Sequence, residues 1–145
     1  MNPTVAIISI FFVAYTQAHT KELHATEVYK LKVRDECNKD IKATPEQSEI
    51  VSKFKEVPKD ETEKCLLECI YIKTGGIDAD GKYSVEGFNK LIDMKYKGDE
   101  NTNAKKINTD CAKKAVSKEG EKCSLGGSIR ECFAAAAKEN DFFTI

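Results

Sequence analysis

Cysteine placement constrains this chain more than any other feature: Cys37, Cys65, Cys69, Cys111, Cys123 and Cys132 follow the pattern C-x27-C-x3-C-x41-C-x11-C-x8-C. An even number of cysteines behind an apolar leader reads as a closed disulfide framework, because thiols stay oxidised outside the cell and a small domain gains stability from cross-links. Cys65 and Cys69 lie one turn apart on one predicted helix face, so a bond between them would constrain nothing beyond that turn. They are better placed to tie their helix to two different neighbours. Spacing alone leaves many connectivities open.

The leader itself is Val5 to Tyr15, apolar except for Ser9, followed by Thr16-Gln17-Ala18 with small residues where a signal peptidase reads. This predicts a signal peptide over 1–18 and a mature domain over 19–145, secreted and extracellular. The run falls well short of the roughly 20 apolar residues a membrane span needs, and no second run follows, so no membrane insertion is expected. What remains is enough for one domain with one core. All 23 basic and 24 acidic residues lie beyond Ala18, leaving a net charge of -1 with histidines neutral. Balanced, interspersed charge gives no footprint for nucleic acid or for an anionic membrane surface.

The mature chain reads as all-α. Lys21 to Asn38 places Tyr29, Val33 and Cys37 on one stripe of a first helix. Thr44-Pro45-Glu46-Gln47 carries a capping residue, a first-turn proline and a Gln three residues after the cap, predicting a short helix to about Phe54. Asp60 to Glu63 repeats a start signal ahead of Cys65 to Ile72, the most apolar stretch of the mature chain. Gly75-Gly76 ends that helix and Asp78 to Gly81 makes a turn. Ser84 caps a fourth helix with Val85, Phe88, Leu91 and Ile92. After a polar linker, Lys97 to Asn103, the spacing of Ala104, Ile107, Cys111 and Ala115 predicts a fifth helix ended by Gly120. Ser128, after Gly126-Gly127, starts a sixth.

Several chemistries are poorly supported. Aligning Gly81 with the glycine of a calcium loop puts Gly76 and Gly87 where the first and last carboxylates belong. The two histidines, His19 and His24, sit together at the mature amino terminus, so neither a zinc centre nor a histidine triad is expected. With every cysteine bridged, no thiolate remains as nucleophile. The chain is therefore read as a non-enzyme without metal or cofactor.

The cysteine spacing, the Asp80-Gly81-Lys82-Tyr83 turn after the third cysteine and the Cys132-Phe133 pair together resemble the insect odorant-binding protein family, of the six-cysteine pheromone and general odorant-binding type. The resemblance covers the whole mature chain. It implies bridges Cys37–Cys69, Cys65–Cys123 and Cys111–Cys132, and a compact six-helix domain around an apolar cavity. The implied function is a secreted carrier that reversibly binds and solubilises an odorant, a pheromone or a fatty-acid-like molecule. Partners expected on this reading are the small hydrophobic ligand and a membrane chemoreceptor, with the protein a monomer or weak homodimer. A helical domain that keeps a hollow interior must recover packing energy elsewhere, and bridges worth about 3–4 kcal/mol each would supply it.

Helical phase and the resemblance nominate Leu67, Ile72, Tyr83, Phe88, Leu91, Ile107, Val116, Ile129 and Phe133 as the cavity wall, with Phe142 or Phe143 as a lid. Tyr71 and Tyr83 are candidate hydrogen-bond donors to a ligand, since a buried phenol seeks a partner. Asp141 and Glu139 are candidate pins for the tail while ionised. A second class stays open: a disulfide-stapled interaction protein of salivary or reproductive fluid, using Phe142 and Phe143 as a contact patch for a protein partner.

Overall fold

A computed structural model describes residues 28–144; the predicted signal peptide, His19 and His24 lie outside the described residues. The description opens inside a helix over 28–41 (α1), whose part from Arg34 onward belongs to a compact unit, Arg34–Ile145. Five more α-helices follow: Pro45–Ser48 (α2, continued by a 3-10 turn at Glu49–Val51), Glu61–Lys73 (α3), Val85–Lys95 (α4), Gly98–Lys114 (α5) and Ser124–Glu139 (α6). No strand occurs among the described residues; Ile77 and Tyr83 make an isolated antiparallel bridge that closes the 78–81 turn.

Three helix starts follow from their capping residues. Thr44 and Gln47 form the reciprocal capping box of α2, at 3.0 and 3.3 Å. The Asp60 carboxylate accepts from the Glu63 N–H at 2.9 Å ahead of α3, and the Ser84 hydroxyl from the Gly87 N–H at 3.0 Å ahead of α4. Each satisfies a first-turn donor that has no partner inside its own helix.

The structure corrects two helix starts. Lys97 to Asn103 is largely the first turns of α5 and not a linker. Asp99 and Glu100 at its start and Lys113 and Lys114 at its end suit the helix dipole, and only Ala104, Asn108 and Cys111 are buried. A helix so sparingly buried is polar almost all round, which makes its sequence look like a loop. The sixth helix starts at Ser124, so Gly126 and Gly127 lie within its first turn and do not precede it.

The reason is how closely α6 approaches α3. A Cβ on Gly126 would fall 2.6 Å from Glu68 Cβ and 2.7 Å from the Glu68 backbone nitrogen, whereas one on Gly127 would meet only the flexible Lys64 side chain, at 3.1 Å. The Glu68 carboxylate in turn accepts from the Gly126 N–H at 2.8 Å, capping α6 from a neighbouring helix. Gly126→Ala should therefore cost about 1–3 kcal/mol through overpacking against backbone that cannot yield. Gly127→Ala should cost well under half as much; equal shifts in the denaturant midpoint would refute this account.

The bridges pair as the resemblance implies: Cys37–Cys69 joins α1 to α3, Cys65–Cys123 joins α3 to the residue before α6, and Cys111–Cys132 joins α5 to α6. α3 packs chiefly on α6, and α5 on both α4 and α6. Leu66, Leu67, Phe88, Ile92, Ile129 and Phe143 are fully buried at these contacts.

Candidate functional site

The interior of the unit is a row of aromatic rings contributed by different elements. Phe88 of α4 is its hub, with centroids 5.4 Å from Tyr71 of α3, 5.0 Å from Tyr83 and 5.1 Å from Phe133 of α6. Phe133 lies 5.5 Å from Phe143 of the tail. The Phe88–Phe133 and Tyr71–Phe88 pairs meet edge to face, the arrangement the ring quadrupoles favour.

The two phenols differ sharply. The Tyr83 hydroxyl donates to Asn108 Oδ1 at 2.5 Å, and Asn108 Nδ2 donates to the Val85 carbonyl and to Asn89 Oδ1, each at 2.9 Å. Burial, with a lesser effect of Tyr71, pushes the Tyr83 phenol well above its ordinary pKa, so it stays neutral. Tyr83 is thus committed to tying the segment just before α4 to α5, and is a poor candidate for a ligand donor. The Tyr71 hydroxyl is buried and has no hydrogen-bond partner among the described residues.

Of the other nominated residues, Leu67 and Ile129 are buried, while Leu91, Ile107 and Phe142 are half-buried. Ile107 borders a surface groove of about 320 Å³ between α5 and α6, edged by Asp110, Lys114 and Glu131. Ile72 and Val116 stand outside the interior, 53% and 57% exposed. Tyr71 takes the inward phase of α3 and turns its neighbour Ile72 outward. Val116 lies past the true end of α5 at Lys114, after the extended residue Ala115, and its N–H donates to the Ser128 hydroxyl at 3.1 Å.

A family comparison fits this framework: the PBP/GOBP family model matches residues 19–136. The chain belongs to the PBP/GOBP family. This is the odorant-binding family that the cysteine spacing resembles, a family of carriers of small hydrophobic ligands and not of enzymes. Among solved structures, the odorant-binding protein dmelOBP28a from Drosophila melanogaster matches with a TM-score of 0.65 over 81% of this chain and 96% of that one. At 22% identity the likeness is one of fold. No curated protein sequence matches the chain. No helix among the described residues is long and apolar enough to cross a membrane.

Within this PBP/GOBP chain the tail is docked. Phe143 is fully buried, its ring 6.5 Å from Tyr96, with Phe142 5.7 Å from Tyr96. The Tyr96 hydroxyl donates to the Thr144 carbonyl and accepts from the Thr144 N–H, both at 2.6 Å. Tyr96 follows the last residue of α4, and its polar role depends on the tail being in place. Asn108 could have been found, since it sits on the Ala104–Cys111 stripe, and a polar residue on a buried stripe demands partners. Arg130, buried on α6, carried no sequence signal of burial beyond its phase beside Ile129 and Phe133.

Asp141 pairs with Lys55 at 2.7 Å, and that cation holds its carboxyl below the usual carboxylate range. Glu139 makes no such tie among the described residues. A carboxyl whose folded pKa is depressed contributes stability above its unfolded value, near 3.9, and loses it only as pH falls through the lower folded value. The Asp141 tie therefore persists at pH 5. Asp141→Asn is expected to leave the change in probe affinity between pH 7 and pH 5 unaltered; a flattened pH response in the variant would show that this pair does govern release.

Proposed function

We propose that the protein is a secreted carrier that reversibly binds a small hydrophobic ligand in extracellular fluid, with the aromatic row as its binding surface. The observation that carries this reading is the Tyr71 hydroxyl, buried on a residue packed against the Phe88 ring and without a hydrogen-bond partner among the described residues. An unpaired buried hydroxyl costs about 1–3 kcal/mol, and a ligand oxygen would remove that cost. Secretion is supported by the apolar leader, by a family match that begins at His19, directly after the proposed cleavage at Ala18, and by three closed bridges. Rings supply contact area but little discrimination, so selectivity falls to the few polar groups beside them. The burial of Phe143 leaves the alternative, a tail that offers a contact patch to another protein, without its main anchor.

Titration of the bridge-verified protein with an environment-sensitive apolar fluorophore tests the reading. Saturable one-site uptake, reversed by micromolar long-chain alcohols or esters, is expected. Tyr71→Phe should weaken ligands bearing an oxygen acceptor by about fivefold to tenfold, spare the matching hydrocarbon and leave the unliganded protein equally or more stable. No saturable uptake by the folded protein would overturn the carrier reading.

A further inference from the structure

A second orphan donor stands on α6, three residues before Phe133 of the row, and unlike Tyr71 it is charged. Arg130 is 3% exposed, yet its Nε has no acceptor among the described residues. Its guanidinium reaches one carbonyl, that of Lys53, at the long distance of 3.5 Å, and lies 5.5 Å from the centre of the Phe54 ring. A guanidinium presents five donors in a rigid fork, and a ring face offers a cation attraction without any acceptor. No carboxylate among the described residues comes within the 4.0 Å of an ion pair. The buried carboxylate of Glu63 is engaged elsewhere, accepting from the Lys59 N–H at 2.5 Å. A second cation shares that ring: the Lys95 ammonium, bonded to the Thr144 hydroxyl, lies 5.4 Å from the centre of Phe54.

A buried cation in these surroundings is incomplete without an anion, and the planar fork fits a carboxylate with two parallel hydrogen bonds. Phe133 stands three residues further along α6, on the same face, and opens the row to Phe88 and Tyr71. We infer that Arg130 anchors the carboxylate of an amphipathic, fatty-acid-type ligand whose hydrocarbon runs along the Phe133–Phe88–Tyr71 row. The inference rests on the carrier reading and narrows it: Tyr71 accepts any oxygen-bearing ligand, whereas Arg130 selects for negative charge.

The test compares dodecanoate, dodecanol and methyl dodecanoate as displacers of the apolar fluorophore at pH 7, in the wild-type protein, Arg130→Gln and Arg130→Lys. Dodecanoate should bind the wild type about tenfold to a hundredfold more tightly than its methyl ester. Arg130→Gln should abolish that preference while ester affinity stays within about twofold, and Arg130→Lys should retain part of it. Equal binding of acid and ester by the wild type would overturn the inference without any variant having to fold. Acid preference that survives in a folded Arg130→Gln would also overturn it. In both cases alcohol and ester still bind, so the carrier reading stands; uptake of none of the three, nor of the fluorophore, would instead remove the carrier reading.

Discussion

Phe88→Ala is expected to lower the free energy of unfolding by about 3–5 kcal/mol, among the largest losses available from one side chain in this protein. The ring is fully buried and touches three others, those of Tyr71, Tyr83 and Phe133. Its floor is Gly76, where a Cβ would fall 2.4 Å from the ring, so the backbone has closed on it as far as sterics allow. The surroundings cannot collapse readily to fill the space. Cys65–Cys123 and Cys111–Cys132 hold α3, α5 and α6 in place, and Asn108 holds α4 to α5 through Asn89 and the Val85 carbonyl. A cavity that cannot relax costs the most. The same rigidity predicts a gain for the ligand: the enlarged interior should accept bulkier apolar probes, and saturating probe should restore part of the lost stability by mass action. Equilibrium denaturation with and without fluorophore reads both effects. A loss below about 1 kcal/mol would mean that the row repacks freely and that Phe88 is not its hub.

How far the sequence disclosed all this depended on whether the deciding partner was close in the chain. Capping at Thr44, Asp60 and Ser84 was legible because donor and acceptor are three residues apart. The start of α6 was not, because the residue that caps it and demands Gly126 is Glu68, on another helix. Likewise α5 was only half legible: its burial is confined to a narrow stripe, and Gly98 to Asn103 expose mostly polar side chains that read as loop. Helical phase put Phe88, Ile129 and Phe133 on inward faces, where they are buried, and misled at Val116, where the helix ends before the phase would apply. Phase also says nothing about which polar group will lack a partner. Tyr71 and Tyr83 look alike in the sequence, and only the position of Asn108 separates a structural phenol from an available one. Arg130 was missed for a similar reason, since an arginine two residues before a cysteine on an amphipathic helix is ordinarily a solvated one.

Removing Cys65–Cys123 by the double substitution Cys65→Ser/Cys123→Ser is expected to cost about 4 kcal/mol, more than removing either other bridge. In the chain-entropy account the stabilisation grows with the logarithm of the loop closed, and the separations are 58 residues here, 32 for Cys37–Cys69 and 21 for Cys111–Cys132. The overlapping bridges hardly shorten this loop, because the route through Cys111–Cys132 must run nearly the whole way from Cys65 to Cys111 and then back from Cys132 to Cys123. Loop length therefore orders the three costs, with about 1 kcal/mol between the largest and the smallest. Position reinforces the order: Cys65 and Cys123 flank the Glu68–Gly126 contact, where α3 and α6 approach closest to backbone contact, and both helices carry the interior rings. The double variant should accordingly lose ligand uptake at lower denaturant or temperature than a Cys111→Ser/Cys132→Ser protein, and a probe at saturation should raise both by about the same amount and leave the order unchanged. Paired denaturation curves of the three double-serine variants decide the matter: an inverted order would place the stabilising effect of the bridges in local packing and not in the loops they close.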